Sequence, residues 1–143
     1  MNVSLVVDAS VWVSWLRPVD INHSPSLIWM DHYIAKDGFL TAPTFFLVEV
    51  AASISRQTGQ VMRAREAINQ LRAISKIQIV AMDSALVEAA IDVATHLQLR
   101  AGDAIYVALA RQLNIPLVSW DKEQLQKAST IITTHTPDTY TSP

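Results

Sequence analysis

Cysteine is absent from all 143 residues, which excludes disulfides and thiolate metal sites and fits a reducing, cytoplasmic setting. An excess of positive charge is missing as well. At a net charge of −2 the chain has no global attraction to nucleic acid, so a polyanion would have to be held by local Arg and Lys or by bound cations. The opening MNVSLVVDASVWVSWL lacks a basic leader, and Asp8 interrupts its apolar run. It reads as neither a signal peptide nor a membrane span, and no membrane association is expected. Repeats, low-complexity tracts and linkers are lacking too. Half of the residues are hydrophobic, which argues against disorder, and a chain of 143 residues is most simply one domain.

What is present is an alternation of short β-rich runs with longer helical ones. VSLVV (3–7) reads as a strand buried on both faces, and 11–16 as a helix stopped by Pro18. Ser24 as N-cap, Pro25 behind it and Gly38 past the end predict a helix over 25–36. A strand at 39–42 follows, then a helix capped by Thr44 and stopped by Gly59. A helix over 60–74 carries an apolar stripe at Val61, Ala64, Ile68, Leu71 and Ile74. The remaining elements are a strand at 77–80, a helix from Asp83 or Ser84 to Leu97, a helix over 103–113 broken by Asn114, a strand at 116–119, a helix over 122–128 and a strand at 130–133. Residues 1–135 form the expected domain, with 136–143 as a loose C-terminal tail. Such alternation implies an α/β fold with a mainly parallel β-sheet flanked by helices, whose ligands bind beyond the carboxyl ends of the strands.

Four acids bracket the apolar segments. Asp8 ends the first strand, and on its own it is an ordinary helix cap. Glu49 lies between Val48 and Val50 on a helix that is apolar nearly all round, where a charge must be paired, hydrogen-bonded or metal-bound. An ion pair with Arg56 or Arg100 is the alternative. Asp103 opens its helix, where the dipole favours an anion. Asp121 ends the strand PLVS, and with Gln124 three residues on it resembles a capping box. In a parallel sheet all four can meet at one edge. There they would raise one another's pKa unless they share a divalent cation, and carboxylates with water and phosphate are how Mg²⁺ is usually held. Ser10 and Ser119, each two residues from an Asp, are placed either to orient those carboxylates or simply to make turns.

The strand-Asp-x-Ser opening, the Glu in an apolar helix, AGDAIYVALA and IPLVSWD together resemble a PIN domain, within it most closely the VapC-type toxins of bacterial toxin–antitoxin pairs. The resemblance runs from Asp8 to the last strand and is most specific over 97–125. It implies Mg²⁺ (or Mn²⁺) held by Asp8, Glu49, Asp103 and Asp121, with Ser119 as the small hydroxyl residue before the last acid. It further implies hydrolysis of an RNA phosphodiester by a metal-activated water, a homodimer, and a small antitoxin protein that occludes the acidic pocket. Trp120 departs from the family's usual small residue and bears on the pocket rim. Asp121, the family's most variable acid, acts either directly or through water.

Other readings are weaker or lie outside catalysis. A haloacid-dehalogenase phosphatase needs a second acid where this chain has Ser10, and a receiver domain has no use for Glu49. A PIN-like binding or scaffold module without chemistry stays open. Arg17, Arg100, Lys122 and Lys127 are placed to touch phosphates, and Trp12 and Trp15 form one apolar stripe. The apolar helices at 11–16 and 44–54 suggest a buried partner surface.

Overall fold

The computed structural model describes residues 4–140. Its centre is β1 (Ser4–Val7), whose Leu5, Val6 and Val7 are fully buried, as a strand covered on both faces requires. The chain continues through α1 (Ala9–Leu16), α2 (His23–Ala35), β2 (Phe39–Pro43), α3 (Phe45–Thr58), α4 (Val61–Arg72) and β3 (Ile77–Val80). It then passes through α5 (Ser84–Leu97), α6 (Ala101–Leu113), β4 (Leu117–Val118), α7 (Lys122–Ala128) and β5 (Thr134–His135). The five strands lie in the order β3-β2-β1-β4-β5, every pair parallel. The expected α/β architecture is therefore present, and no helix among the described residues is long and apolar enough to cross a membrane.

Topology decides where a ligand can sit. The chain builds outward from β1 through β2 to β3, then returns to the other side of β1 for β4 and β5. Connections leaving β1 and β4 thus diverge, which opens a crevice at the carboxyl ends of those two strands. Asp8 and Ser119 are the first residues past those ends, and the Asp8 N–H donates to the Val118 carbonyl at 3.0 Å.

Several local expectations shift. The final strand is β5 at Thr134–His135, not 130–133, because the end of α7 runs on into a turn in which Ile131 and Ile132 both donate to the Ala128 carbonyl. Beyond it, Thr136–Thr139 close a turn, and Tyr140 packs edge-on against Trp29, Tyr33 and His135; residues 141–143 lie outside the described residues. Helix α2 starts two residues early, with Pro25 in its first turn, where a missing N–H is harmless. Thr44 makes no cap bond to α3; its hydroxyl donates instead to the Val80 carbonyl. Helix α4 ends at Arg72 and buries Ala64, Ala67 and Leu71, while Val61 at its start is exposed. The apolar α1 is committed to the core, with Val11 and Trp12 fully buried, so it offers no partner surface.

Gly38 has a different task from the one its position suggests. The left-handed residue after α2 is Asp37 (φ 60°), and the Schellman pair closes with Asp37 N–H on Ile34 O and Gly38 N–H on Tyr33 O. Glycine is required one residue later because a Cβ there would stand 2.3 Å from the Tyr33 ring. That ring is stacked on Trp29 and backed by Tyr140, so it has nowhere to move. Gly38→Ala should destabilise the fold by about 1–3 kcal/mol, the usual cost of overpacking. Urea denaturation would measure it, and a midpoint equal to wild type would show that the ring can give way.

Candidate active site

The crevice at the β1/β4 switch point gathers the acids. Asp8 caps α1 and is only 5% exposed. Its Oδ2 accepts from the Ser10 N–H at 2.9 Å and faces Ser119 Oγ at 3.3 Å, and its Oδ1 faces Gln124 Nε2 at 3.4 Å. Glu49 lies in the second turn of α3 and Asp103 in the first turn of α6. Gly102 lets these helices approach: a Cβ there would sit 3.3 Å from Glu49 Oε2 and 3.2 Å from the Phe45 ring. Asp121 caps α7, accepting from the Gln124 N–H at 3.1 Å, and its own N–H donates to Ser119 Oγ at 3.0 Å. Two acids are therefore caps as well as site residues. Asp103 is not a cap, since the N-cap of α6 is Arg100.

Electrostatics tie the group together. Burial pushes the Asp8 carboxyl above the usual carboxylate range, against the hydrogen bonds from Ser10, Gln124 and Ser119 that pull it down. Burial also carries Glu49 up to about 7; the nearby Tyr106 hydroxyl opposes the rise, and the charges of Asp8 and Asp103 add to it. Asp103 is pushed up to about 6, first by burial and then by Asp8 and Asp121, with Arg100 opposing. Among the described residues no Lys, Arg or His forms an ion pair with them, and of these only Arg100 acts on Asp103, from outside ion-pair distance. The ion pairs among the described residues are Lys76–Asp37, His96–Asp92, Arg111–Asp92 and Lys127–Glu123, and none reaches this site. The Arg partner considered for Glu49 is therefore not made. Glu49 Oε1 and the Tyr106 hydroxyl are both buried and neither completes a hydrogen bond.

Buried Asp8 with half-buried Glu49 and Asp103, outside any ion pair and with an orphaned Glu49 oxygen, is a donor set for a hard divalent cation such as Mg²⁺ or Mn²⁺. The residues fit such an ion in chemistry. In spacing they stand open: among the described residues no three His, Asp or Glu side chains are close enough to close on one ion as oriented. Asp121 is exposed and at the margin, while Asp8, Glu49 and Asp103 form the inner group.

Residues 5–129 match the sequence model of the PIN domain. This chain belongs to the PIN-domain family. Comparison with curated protein sequences gives no match. Among solved structures, the PIN fold here is similar to VapC20 of Mycobacterium tuberculosis, described as a sarcin–ricin-loop-cleaving toxin, with a TM-score of 0.73 at 19% identity over 90% of this chain and 96% of that one. It is also similar to the DNA-bound VapBC of Salmonella typhimurium (TM-score 0.71, 9% identity, 94% and 98% covered). A toxin–antitoxin complex from Klebsiella pneumoniae gives 0.64 at 16% identity, with 93% and 97% covered. At such identities the likeness is one of fold.

Within this PIN domain, sequence reasoning missed one residue at the acids, Gln124. It was read as a helix-capping partner, yet its side chain does not return to the Asp121 N–H and is 1% exposed beneath Asp8. The signal was available: 124, 125 and 128 form the buried stripe of α7, so a polar residue at 124 must face inward. Of the proposed phosphate contacts, the Lys127 ammonium is engaged by Glu123 and the Gln98 carbonyl, and Arg17 by Gln57. Arg100 and Lys122 remain exposed at the starts of α6 and α7.

The raised carboxyls set a pH dependence. Folded Asp8, Glu49 and Asp103 keep protons over a range in which the unfolded chain has released them. Their contribution to metal-free stability is thus complete below about pH 4, the unfolded carboxyl range, and is lost as pH rises through the folded values. The metal-free chain should melt higher at about pH 5 than at about pH 8, and Asp103→Asn should flatten the difference. Scanning calorimetry in EDTA checks this, and equal slopes for the two proteins would remove Asp103 from the account.

Proposed function

We propose that this chain is a metal-dependent endoribonuclease and the toxin of a type II toxin–antitoxin pair. The observation that carries the reading is the group of buried Asp8 with half-buried Glu49 and Asp103 at the switch point, none of them in an ion pair among the described residues. Asp8, Glu49 and Asp103 would hold the cation, with Asp121 joining directly or through water. A bound Mg²⁺ or Mn²⁺ supplies the positive charge that draws in a backbone phosphate and the acidity that makes water a nucleophile at neutral pH.

The protein's own part is preorganisation and proton control. Asp8 is held by the Ser10 N–H on Oδ2 and the Gln124 amide on Oδ1, so its carboxylate orientation is set before substrate arrives. Burial carries Glu49 up to about 7 in the metal-free chain, so taking the cation would release its proton near neutrality. Arg100 and Lys122, at the starts of the helices that carry Asp103 and follow Asp121, are placed for the flanking phosphates of a single strand. Trp120 is held in place. Its indole N–H donates to Ser26 Oγ at 2.8 Å, so it forms a fixed wall of the crevice.

A protein partner is supported by the apolar groove between α3 and α4, about 600 Å³, lined by Leu47, Val48, Ala51, Val61 and Ile68 with Arg65 and Arg72. Val48, 64% exposed, gives an apolar partner a contact point on α3. Solved relatives described as toxin–antitoxin complexes support the same partner class. The open spacing of the carboxylates favours a second reading, a PIN module that binds without cleaving.

RNA cleavage with Mn²⁺, against total tRNA and rRNA, separates the two. Discrete products are expected that vanish in EDTA and fall at least about 100-fold in Asp8→Asn and Asp103→Asn, while both variants stay folded. Cleavage that survives both substitutions would falsify the assignment. The homodimer is tested apart from catalysis: size-exclusion chromatography of the chain at micromolar concentration should show a dimer, and a monomer throughout would contradict it.

A further inference from the structure

Hydrogen-bond accounting around Ser119 singles out the Gln124 side chain. Ser119 Oγ has one proton and three neighbours able to accept it: Gln124 Oε1 at 2.8 Å, Asp8 Oδ2 at 3.3 Å and Ser10 Oγ at 3.3 Å. Only the first distance is that of an ordinary O–H···O bond, so the proton goes to Gln124. The same Oγ accepts from the Asp121 N–H at 3.0 Å, so Ser119 is donor and acceptor at once.

This fixes which way the amide faces. With Oε1 turned to Ser119, Nε2 carries its two N–H groups toward Asp8 Oδ1 at 3.4 Å and the Asp103 carbonyl at 3.3 Å. A flipped amide would set its oxygen against both of those acceptors, which is repulsive. Gln124 therefore links β4's end, Asp8 and the first turn of α6 through one rigid group. Both Nε2 contacts are longer than a usual N–H···O bond, so they orient the carboxylate without drawing much charge from it. A long polar side chain buried to 1% exposure on a short helix needs such a task, since burying an amide without partners is costly.

We infer that Gln124 is a positioning residue for the metal site, holding Asp8 in its ligating orientation and tying it to the Asp103 turn through an amide locked by Ser119. This rests on the reading of the carboxylate group as a divalent-cation site. Ser10 holds Asp8 Oδ2 by its N–H, and Gln124 holds Oδ1, so the pair fixes both rotation and tilt of the carboxylate. Partners that orient a metal ligand in this way commonly contribute about 10- to 100-fold in metal affinity.

The test is calorimetric titration of the purified full chain with Mn²⁺, for wild type, Asp8→Asn, Gln124→Met and Gln124→Ala. Methionine keeps the volume of glutamine and removes its amide. Positioning predicts that Met and Ala both weaken Mn²⁺ binding by about 10-fold or more, and that excess Mn²⁺ restores cleavage by Gln124→Met. Mere packing predicts that Met binds as wild type does and only Ala loses affinity, which overturns the inference while leaving the nuclease reading intact. Absence of Mn²⁺ binding in wild type overturns the cation site itself, and the inference with it. Should Gln124→Met fail to fold, wild type still decides. The Gln124 side-chain amide resonances should move on Mg²⁺ titration in the wild type and stay fixed in Asp8→Asn; resonances unmoved by Mg²⁺ in the wild type would end the proposal.

Discussion

The burial of the Asp8 carboxylate at the end of the central strand is the constraint around which the site is built. A lone carboxylate taken out of water is strongly unfavourable, and here no Arg or Lys answers it. What surrounds it instead are neutral groups, the Ser10 N–H and the Gln124 amide with Ser119 behind them, and two further carboxyls nearby. Hydrogen bonds orient such a group but do not neutralise it. The arrangement leaves a deficit of positive charge that a divalent cation suits, and the rise of Glu49 and Asp103 toward neutrality is the same deficit seen from their side.

The fold serves this constraint through the order of its strands. Because β1 is flanked by β2 and β4, a residue at its carboxyl end sits where connections diverge and backbone does not fill the space. Helices α3 and α6 then bring Glu49 and Asp103 to the same place, and Gly102 permits their contact because a side chain there would press on the Glu49 carboxylate and the Phe45 ring. A polar network continues behind the acids. Ser119, Ser10, the Trp120 backbone N–H, and the Trp120 indole on Ser26 join β4 to α1 and α2, so the wall of the crevice is held by the same serines that contact Asp8.

Much of this was legible in residue order. The Val-rich run before Asp8, the caps at Asp83 and Asp121 and the stops at Gly59 and Asn114 lie where local chemistry places them. Glu49 drew attention as a charge between Val48 and Val50, but α3 buries only the face of Phe46, Val50 and Ile54, and Val48 is 64% exposed. Other features were hidden because they depend on contacts between distant residues. Gly38 looked like a helix terminator, and only the Tyr33 ring shows why a Cβ is forbidden there. The last strand was misplaced because TIIT is a good β-former by composition, while tertiary pairing with β4 selects Thr134–His135.

The sequence by itself determined the alternation of elements and the parallel α/β class, since periodicity and capping are local properties. The tertiary structure alone decided which acids form the inner group, that Asp121 stands at its margin, and that Glu49 has no ion-pair partner. It also turned Gln124 from a capping residue into a contact of Asp8. These facts depend on strand order and on distances between residues more than a hundred positions apart, as Asp8 and Ser119 are, and no local pattern encodes them.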